Sequence, residues 1–331
     1  MIQHPAIIAL IINSFVTSGL LLYAGWYGVR ILTRWDGQSG SELQLGLEQR
    51  TYLISTIVGY ALAFQVLSLF LYIFTADNLH HLFVGAMCAA GTLNANSFGY
   101  PALIVKIINC VLAGVWLIIN QTDTRGYDYP LIKVKYGLLM LLVPMLFLET
   151  VLQFSFFSGL RADVITSCCG SLFSTDKRSL AGDLAGLPVV PMEALFFGGM
   201  ALTVLCGIYF YRSGKAGYLF SFVSVATFVI AAASLVSFIC LYFYELPTHH
   251  CPFCILQKEY GYVGYPLFAT LLTGGITGAG CGALMPFRGR PSLSRVIPPI
   301  QRTLTLLTIA CYLLFTLIVS YRMVTTSFRL S

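Results

Sequence analysis

Eight long apolar segments constrain the fold of this chain more than any other feature. A helix needs about 20 mostly apolar residues to cross about 30 Å of hydrocarbon. Continuous apolar runs of this length also exclude a transmembrane β-barrel, whose strands alternate apolar and polar residues. We therefore predict an all-α membrane bundle of eight helices. The segments cover residues 6–29, 52–75, 101–120, 132–156, 193–211, 217–243, 260–285 and 300–321.

The composition supports the same class of protein. Hydrophobic residues make up 57% of the 331 residues and charged residues only 10%, whereas a soluble domain carries about 25% charged residues. This excludes a soluble enzyme and a disordered chain. The 19 basic residues are scattered, which argues against a nucleic-acid partner and leaves membrane lipid as the expected surroundings. We expect one polytopic domain over residues 1–331.

The basic residues predict the orientation, because cytoplasmic loops are enriched in Lys and Arg. The connections on one side hold most of them, and we predict that this side is cytoplasmic. Both termini then lie outside, in the periplasm or its equivalent, and the chain belongs to the inner membrane of the cell. The predicted cytoplasmic residues are Arg30, Arg34, Arg50, Arg125, Lys133, Lys135, Arg212, Lys215, Arg288, Arg290, Arg295 and Arg302.

Cysteine and histidine are distributed unevenly between the two predicted faces. Half of the 10 cysteines and all 5 histidines fall in connections assigned to the outside. That compartment is oxidising, so these cysteines are candidates for redox exchange, metal binding or structural disulfides. The cysteines are Cys88, Cys168, Cys169, Cys251 and Cys254, and the histidines are His4, His80, His81, His249 and His250.

The most specific motif is His-His-Cys-Pro-Phe-Cys at residues 249–254. A Cys-x-x-Cys spacing suits a reversible disulfide or two ligands to one metal. Pro252 favours the first turn of the seventh helix, which would put Cys251 at its N-cap. The helix dipole and a nearby imidazolium would then lower the pKa of the Cys251 thiol. We therefore predict Cys251 as the attacking cysteine and Cys254 as its resolving partner.

Two further outside segments bear on this site. Residues 79–100 are too apolar for an exposed loop and too rich in Gly and Asn for a lipid-facing helix, so we predict a half-buried segment that presents Cys88, Asn94 and Asn96. Residues 157–192 are predicted to form an external cap. Within it, a disulfide between the neighbours Cys168 and Cys169 would be strained, so pairing of either with Cys88 or with the Cys-Pro-Phe-Cys segment stays open.

Charged residues inside two spans form another candidate site. Lys106 in the third span and Glu149 in the fourth occupy the same half of the membrane. Ionisable residues in hydrocarbon usually pair or line a functional site. We expect them, with Asn94 and Asn96, to contribute to binding a cofactor. A Lys106 that extends to the membrane surface is the alternative.

Three glycines of the seventh span, Gly274, Gly278 and Gly282, form two consecutive Gly-x-x-x-Gly spacings. This spacing predicts close helix packing.

The first functional hypothesis is a membrane thiol–disulfide oxidoreductase. Electrons would enter from an external protein partner at Cys251 and Cys254, pass to Cys88 with Cys168 or Cys169, and reach a quinone. The chain resembles the bacterial DsbB proteins and the vitamin K epoxide reductases, which also have a Cys-x-x-Cys near the membrane surface. The resemblance covers this spacing and placement only, and eight spans exceed their four-helix bundle. It implies a quinone-linked enzyme.

Two alternatives remain from other classes. Outside Cys and His residues suit Cu(I) and Zn, which would indicate a transition-metal carrier that captures its ion with His80, His81, His249, His250, Cys251 and Cys254. Histidines at the span ends could also be axial ligands of haem in a membrane subunit of a respiratory complex. The histidines in question are His80, His81, His249 and His250.

Overall fold

The computed structural model describes residues 4–36, 41–161, 164–166 and 180–329. This part of the chain contains eight helices that are long and apolar enough to cross a membrane, so the predicted all-α polytopic fold is confirmed. The α-helices are α1 (Pro5–Arg34), α2 (Glu42–Asn78), α3 (Ala89–Leu93), α4 (Gly99–Asp123), α5 (Ile132–Ser158), α6 (Leu180–Ala185), α7 (Val189–Ser213), α8 (Gly217–Ser234), α9 (Cys240–Tyr244), α10 (Gly264–Leu284) and α11 (Ile297–Thr325).

The spanning helices are the long ones, together with α8 and α9, which a π-helical turn at Leu235–Ile239 joins into one span. Most spans extend beyond the predicted apolar segments, because helical hydrogen bonding continues into the polar flanks. The exception is the seventh, α10, which begins at Gly264 and not at residue 260 as predicted.

The chain packs into two compact units. The first comprises Met1–Tyr72, Asn96–Leu160 and Pro286–Ile300, and the second comprises Ile73–Ala95, Arg161–Met285 and Gln301–Ser331. The core of the first unit is formed by apolar faces of α1, α2, α4 and α5, with the large side chains of Tyr27, Trp116 and Tyr136 buried in it. The prediction of a single domain stays a prediction.

In the second unit, α10 packs closely against its neighbours along its glycines, as the spacing predicted. A Cβ atom at Gly274 would collide with the Tyr312 ring, and one at Gly278 would collide with the Ser224 side chain. Glycine therefore sets how near these helices approach each other.

The segment between α2 and α4 carries a 3-10 turn at His80–Leu82 followed by α3. Every residue of α3 is buried, in agreement with the half-buried segment predicted there. Of the predicted cap at 157–192, the described residues show the end of α5, the short helix α6 and the start of α7. Residues 164–166 lie beside Val84, whose carbonyl accepts the Thr166 N–H at 3.0 Å.

Candidate functional site

Three cysteine sulfur atoms meet in the second unit. The Sγ atoms of Cys88, Cys251 and Cys254 all lie within 4.8 Å of one another, and those of Cys88 and Cys251 are 3.7 Å apart. Cys88 and Cys251 have no exposed surface, and Cys254 is 5% exposed. The cluster therefore joins the Cys-x-x-Cys motif to a cysteine 163 residues away in sequence.

Tyr244 at the end of α9 positions the motif. Its hydroxyl donates a hydrogen bond to the Cys251 carbonyl at 2.5 Å and accepts one from the Ile255 N–H at 3.0 Å. The tyrosine thus holds the main chain on both sides of the Cys-x-x-Cys turn. Because α9 ends in the left-handed residue Glu245, the chain leaves the helix sharply and returns toward Tyr244.

The π-helical turn supplies a second anchor. His250 is buried, and its Nδ1 atom donates to the carbonyl of Val236, within that turn, at 2.9 Å. Single π-helical turns inside α-helices often occur at functional sites. Here the turn provides a partner for the histidine that precedes Cys251.

Asp77 and Gln257 tie the Cys88 segment to the same loop. Asp77 Oδ1 accepts the N–H of Ala89, the residue after Cys88, at 3.0 Å. Gln257 Nε2 donates to the Met87 carbonyl at 2.7 Å and lies 3.4 Å from Asp77 Oδ1. These bonds fix the main chain on both sides of Cys88.

His249 is the histidine that contacts the cluster. Its Nε2 atom lies 3.3 Å from Cys254 Sγ, and its ring packs edge-on against the Tyr244 ring at 4.4 Å. Burial lowers the pKa of His249 below its ordinary value, against a smaller opposing effect of Cys88. His249 is therefore a neutral imidazole at pH 7 that can accept the Cys254 proton, and not the imidazolium expected from sequence.

The expected N-cap at Cys251 is wrong. Cys254–Leu256 form a 3-10 turn, and α10 begins only at Gly264. Gly261 and Tyr262 both have positive φ angles, which no right-handed helix accommodates. The helix dipole therefore does not act on the Cys251 thiol.

The other predicted histidines are placed differently. His80 Nδ1 bonds the carbonyl of Asp77, the His81 ring lies 5.9 Å from the His80 ring, and His250 bonds Val236. Within the described ranges, the only group of three or more His, Cys, Asp or Glu side chains at metal-ligand separations is the cysteine cluster. Cys168 and Cys169 lie outside the described residues.

The predicted asparagines lie where α3 ends and just before α4 begins. Asn94 ends α3, with its N–H bonded to the Ala90 carbonyl at 3.1 Å. Asn96 Nδ2 donates to the Phe156 carbonyl at 2.9 Å, and its Oδ1 accepts the Phe98 N–H at 3.0 Å, just before α4. Asn94 belongs to the second unit and Asn96 to the first.

Lys106 and Glu149 form an ion pair in the first unit, as the sequence suggested. Lys106 Nζ lies 2.5 Å from Glu149 Oε1, and both side chains are 1% exposed. Sequence reasoning missed a second buried pair on the same two helices. Lys135 Nζ lies 2.7 Å from Asp123 Oδ2, with both side chains fully buried. The sequence did contain a signal for this pair, because Lys135 lies one turn before Leu139, on the face of α5 that is buried.

A cavity of about 420 Å³ opens in the second unit. Its lining includes Met87, which precedes Cys88, and Leu256, which is two residues after Cys254. Its polar and aromatic lining residues include Asp77, His80, Gln257, Tyr262 and Tyr265.

Comparison of the chain with protein-family models, curated proteins and solved structures finds no match. The chemistry of the site is therefore argued from its geometry. A buried thiol cluster with a neutral imidazole can carry out thiol–disulfide exchange, and the same four side chains could ligate a soft metal ion.

Proposed function

We propose that this chain is a membrane thiol–disulfide oxidoreductase whose redox centre is Cys88, Cys251 and Cys254. The observation that carries the proposal is the meeting of three sulfur atoms within 4.8 Å, with an imidazole nitrogen 3.3 Å from one of them. The distribution of Lys and Arg favours an inner-membrane protein with this centre facing the periplasm.

In this proposal the roles predicted from the sequence are reversed, and Cys254, not Cys251, is the cysteine that exchanges with an external protein. It is the most exposed of the three, and His249 Nε2 lies at hydrogen-bond distance from its sulfur. His249 takes the thiol proton, and the Cys254 thiolate attacks the partner's disulfide. A mixed disulfide forms and the partner's second sulfur leaves as a thiolate.

Cys251 resolves this intermediate. Its thiolate attacks Cys254 Sγ, the Cys251–Cys254 disulfide forms, and the partner leaves as a dithiol. The partner gains two electrons and the centre loses two. Exchange is reversible, so its direction follows the relative reduction potentials.

Cys88 extends the centre by one exchange step. Its sulfur lies 3.7 Å from Cys251 Sγ, so attack on Cys251 moves the disulfide to Cys88–Cys251 and returns Cys254 to the thiolate form. This step is redox-neutral within the protein: it conserves the disulfide, moves it to the two fully buried cysteines and leaves Cys254 as a thiolate.

A quinone is the proposed small-molecule acceptor when the exchange runs in the reverse direction, in which a partner dithiol first reduces the Cys251–Cys254 disulfide to two thiols and leaves as a disulfide. Two thiols and one quinone give one disulfide and one quinol, which balances two electrons and two protons. The cavity of about 420 Å³ supports this assignment, because ligand pockets of a few hundred Å³ accommodate such rings.

The test is differential alkylation of the full chain in detergent across a series of glutathione redox buffers, read by mass spectrometry. We expect Cys88, Cys251 and Cys254 to change together between thiol and disulfide. Cys251→Ser should trap glutathione on Cys254, and Cys206→Ser should behave as wild type. Three cysteines that stay thiols at every potential would overturn the proposal.

A metal centre is the second candidate, and one observation favours it. Sulfur ligands at about 2.3 Å from a tetrahedral zinc lie about 3.8 Å apart, and Cys88 and Cys251 are 3.7 Å apart. Cys88, Cys251, Cys254 and His249 would then be the ligands. Stoichiometric zinc or copper in the purified protein, lost in Cys88→Ser but kept in Cys206→Ser, would support this function against the redox one.

A further inference from the structure

A buried carboxylate in the first unit has an unusually complete set of donors. Glu149 Oε1 accepts hydrogen bonds from Lys106 Nζ at 2.5 Å and from Gln65 Nε2 at 2.5 Å. Its Oε2 accepts one from Asn109 Nδ2 at 2.7 Å. Lys106 Nζ also donates to Ser68 Oγ at 3.0 Å. All of these side chains are buried.

The two amides in this cluster leave oxygen atoms unused. Gln65 Oε1 and Asn109 Oδ1 accept no hydrogen bond from any described residue, although Gln65 is 2% exposed and Asn109 fully buried. Buried polar atoms are nearly always paired. Two unsatisfied acceptors on the residues that hold one carboxylate therefore indicate a ligand that offers positive charge.

We propose that Glu149, Gln65, Asn109 and Ser68 form a binding site for a monovalent metal cation. The Lys106 ammonium compensates the Glu149 charge when no cation is bound, and it competes with the cation for this site. Carboxylate, amide and hydroxyl oxygens are the hard ligands that such cations prefer. The site lies entirely in the first unit and is independent of the thiol chemistry proposed for the second.

Charge balance selects a monovalent ion. The ionised Glu149 and the Lys106 ammonium together are neutral. When Lys106 releases one proton to water and one sodium ion binds, the site is neutral again. A divalent ion would leave one uncompensated positive charge in a buried site, which is strongly unfavourable. Binding is thus an exchange of one sodium ion for one proton.

The experiment adds sodium chloride to the full chain in weakly buffered detergent at pH 8, with choline chloride at equal ionic strength as the control salt. We expect release of one proton per protein, recorded with a pH-indicator dye, and a rise in the thermal unfolding midpoint. The apparent sodium affinity should increase about tenfold per pH unit, because one proton is released. Potassium and calcium chloride test the selectivity.

Variants separate this site from a structural ion pair. Lys106→Met removes the competing ammonium, so it should bind sodium at least as tightly as wild type, and any proton that it releases then comes from the Glu149 carboxyl. Gln65→Met should weaken sodium binding at least tenfold, whereas Gln153→Met, which removes a buried amide elsewhere in the unit, should not. Among the described residues, Tyr72, whose ring centre lies 5.6 Å from Lys106 Nζ, and Cys110 are titratable neighbours of the pair, and Tyr72→Phe and Cys110→Ser should leave proton release unchanged.

The decisive negative result uses wild type and Lys106→Met together. If neither shows a sodium-dependent unfolding midpoint and wild type releases no proton, Lys106 and Glu149 are only a structural pair. If Lys106→Met does not fold, proton release by wild type decides alone. Neither result bears on the redox state of the cysteines.

Discussion

The Nε2 atom of His249 lies 3.3 Å from the Sγ atom of Cys254, within a cluster of three buried cysteines. Because burial lowers the pKa of His249, this contact joins a neutral base to a thiol. A structural disulfide has no need of such a base, whereas a thiol that must become a thiolate does.

His249→Gln should therefore make Cys254 less reactive. The amide cannot accept the thiol proton as imidazole does, so we expect the alkylation of reduced Cys254 by iodoacetamide at pH 7 to slow by about tenfold or more. Mass spectrometry of the modified peptide measures this rate. His81→Gln alters an exposed histidine and should leave the rate unchanged, and equal rates in all three proteins would remove the base from the mechanism.

The same histidine predicts how stability depends on pH. The pKa of His249 is 6.5 in its ordinary state and lower in the folded protein, so below pH 6.5 the unfolded chain binds the proton more readily. This contribution to stability is fully present above pH 6.5 and is lost as the pH falls through the folded pKa. Thermal unfolding between pH 8 and pH 4 should show a steeper decline for wild type than for His249→Gln, and parallel curves would contradict this.

Tyr244→Phe should loosen the Cys-x-x-Cys turn. Removing the hydroxyl leaves the Cys251 carbonyl and the Ile255 N–H without their bond to it, and an unsatisfied buried group costs about 1–3 kcal/mol. We expect a lower unfolding midpoint and a smaller fraction of Cys251–Cys254 disulfide at a given glutathione potential. Tyr262→Phe, at a residue that is 49% exposed, is the matched control. A shift in the midpoint without a shift in disulfide fraction would assign Tyr244 to stability alone.

Removing one charge of the buried Asp123–Lys135 pair should destabilise the protein more than removing both charges. Asp123→Asn leaves the Lys135 ammonium uncompensated, and we expect the free energy of unfolding to fall by about 3–5 kcal/mol. The double variant Asp123→Leu with Lys135→Met removes both charges and should recover most of the loss. Unfolding by increasing SDS fraction measures both, and a double variant no better than the single one would argue against an ion-pair effect.

Gly278→Ala should disturb the packing of α10. The added Cβ would collide with the Ser224 side chain, so we expect a loss of about 1–3 kcal/mol in unfolding free energy. Gly198→Ala is the control, because a Cβ there has no atom within 4 Å and alanine favours a helix. The same SDS titration compares the two, and equal effects would mean that α10 can shift away from Ser224.

The sequence by itself determined the eight membrane helices, because a bilayer of fixed thickness requires a long apolar segment at each crossing and such segments are local. It also indicated the packing glycines and the pairing of Lys106 with Glu149, since charges in hydrocarbon need partners. The sequence did not reveal where α10 begins. The positive φ angles of Gly261 and Tyr262, which precede the helix, depend on how the loop folds back.

Only the tertiary structure showed that Cys88 lies beside the motif. Cys88 and Cys251 are separated by 163 residues, and sequence spacing contains no information about contacts over that distance. The choice of His249 over His250 was also made by the fold. Val236, in the π-helical turn, accepts a hydrogen bond from His250, which leaves His249 to face the Cys254 sulfur. Residues far apart in the chain are brought together by helix packing, and local patterns do not determine that packing.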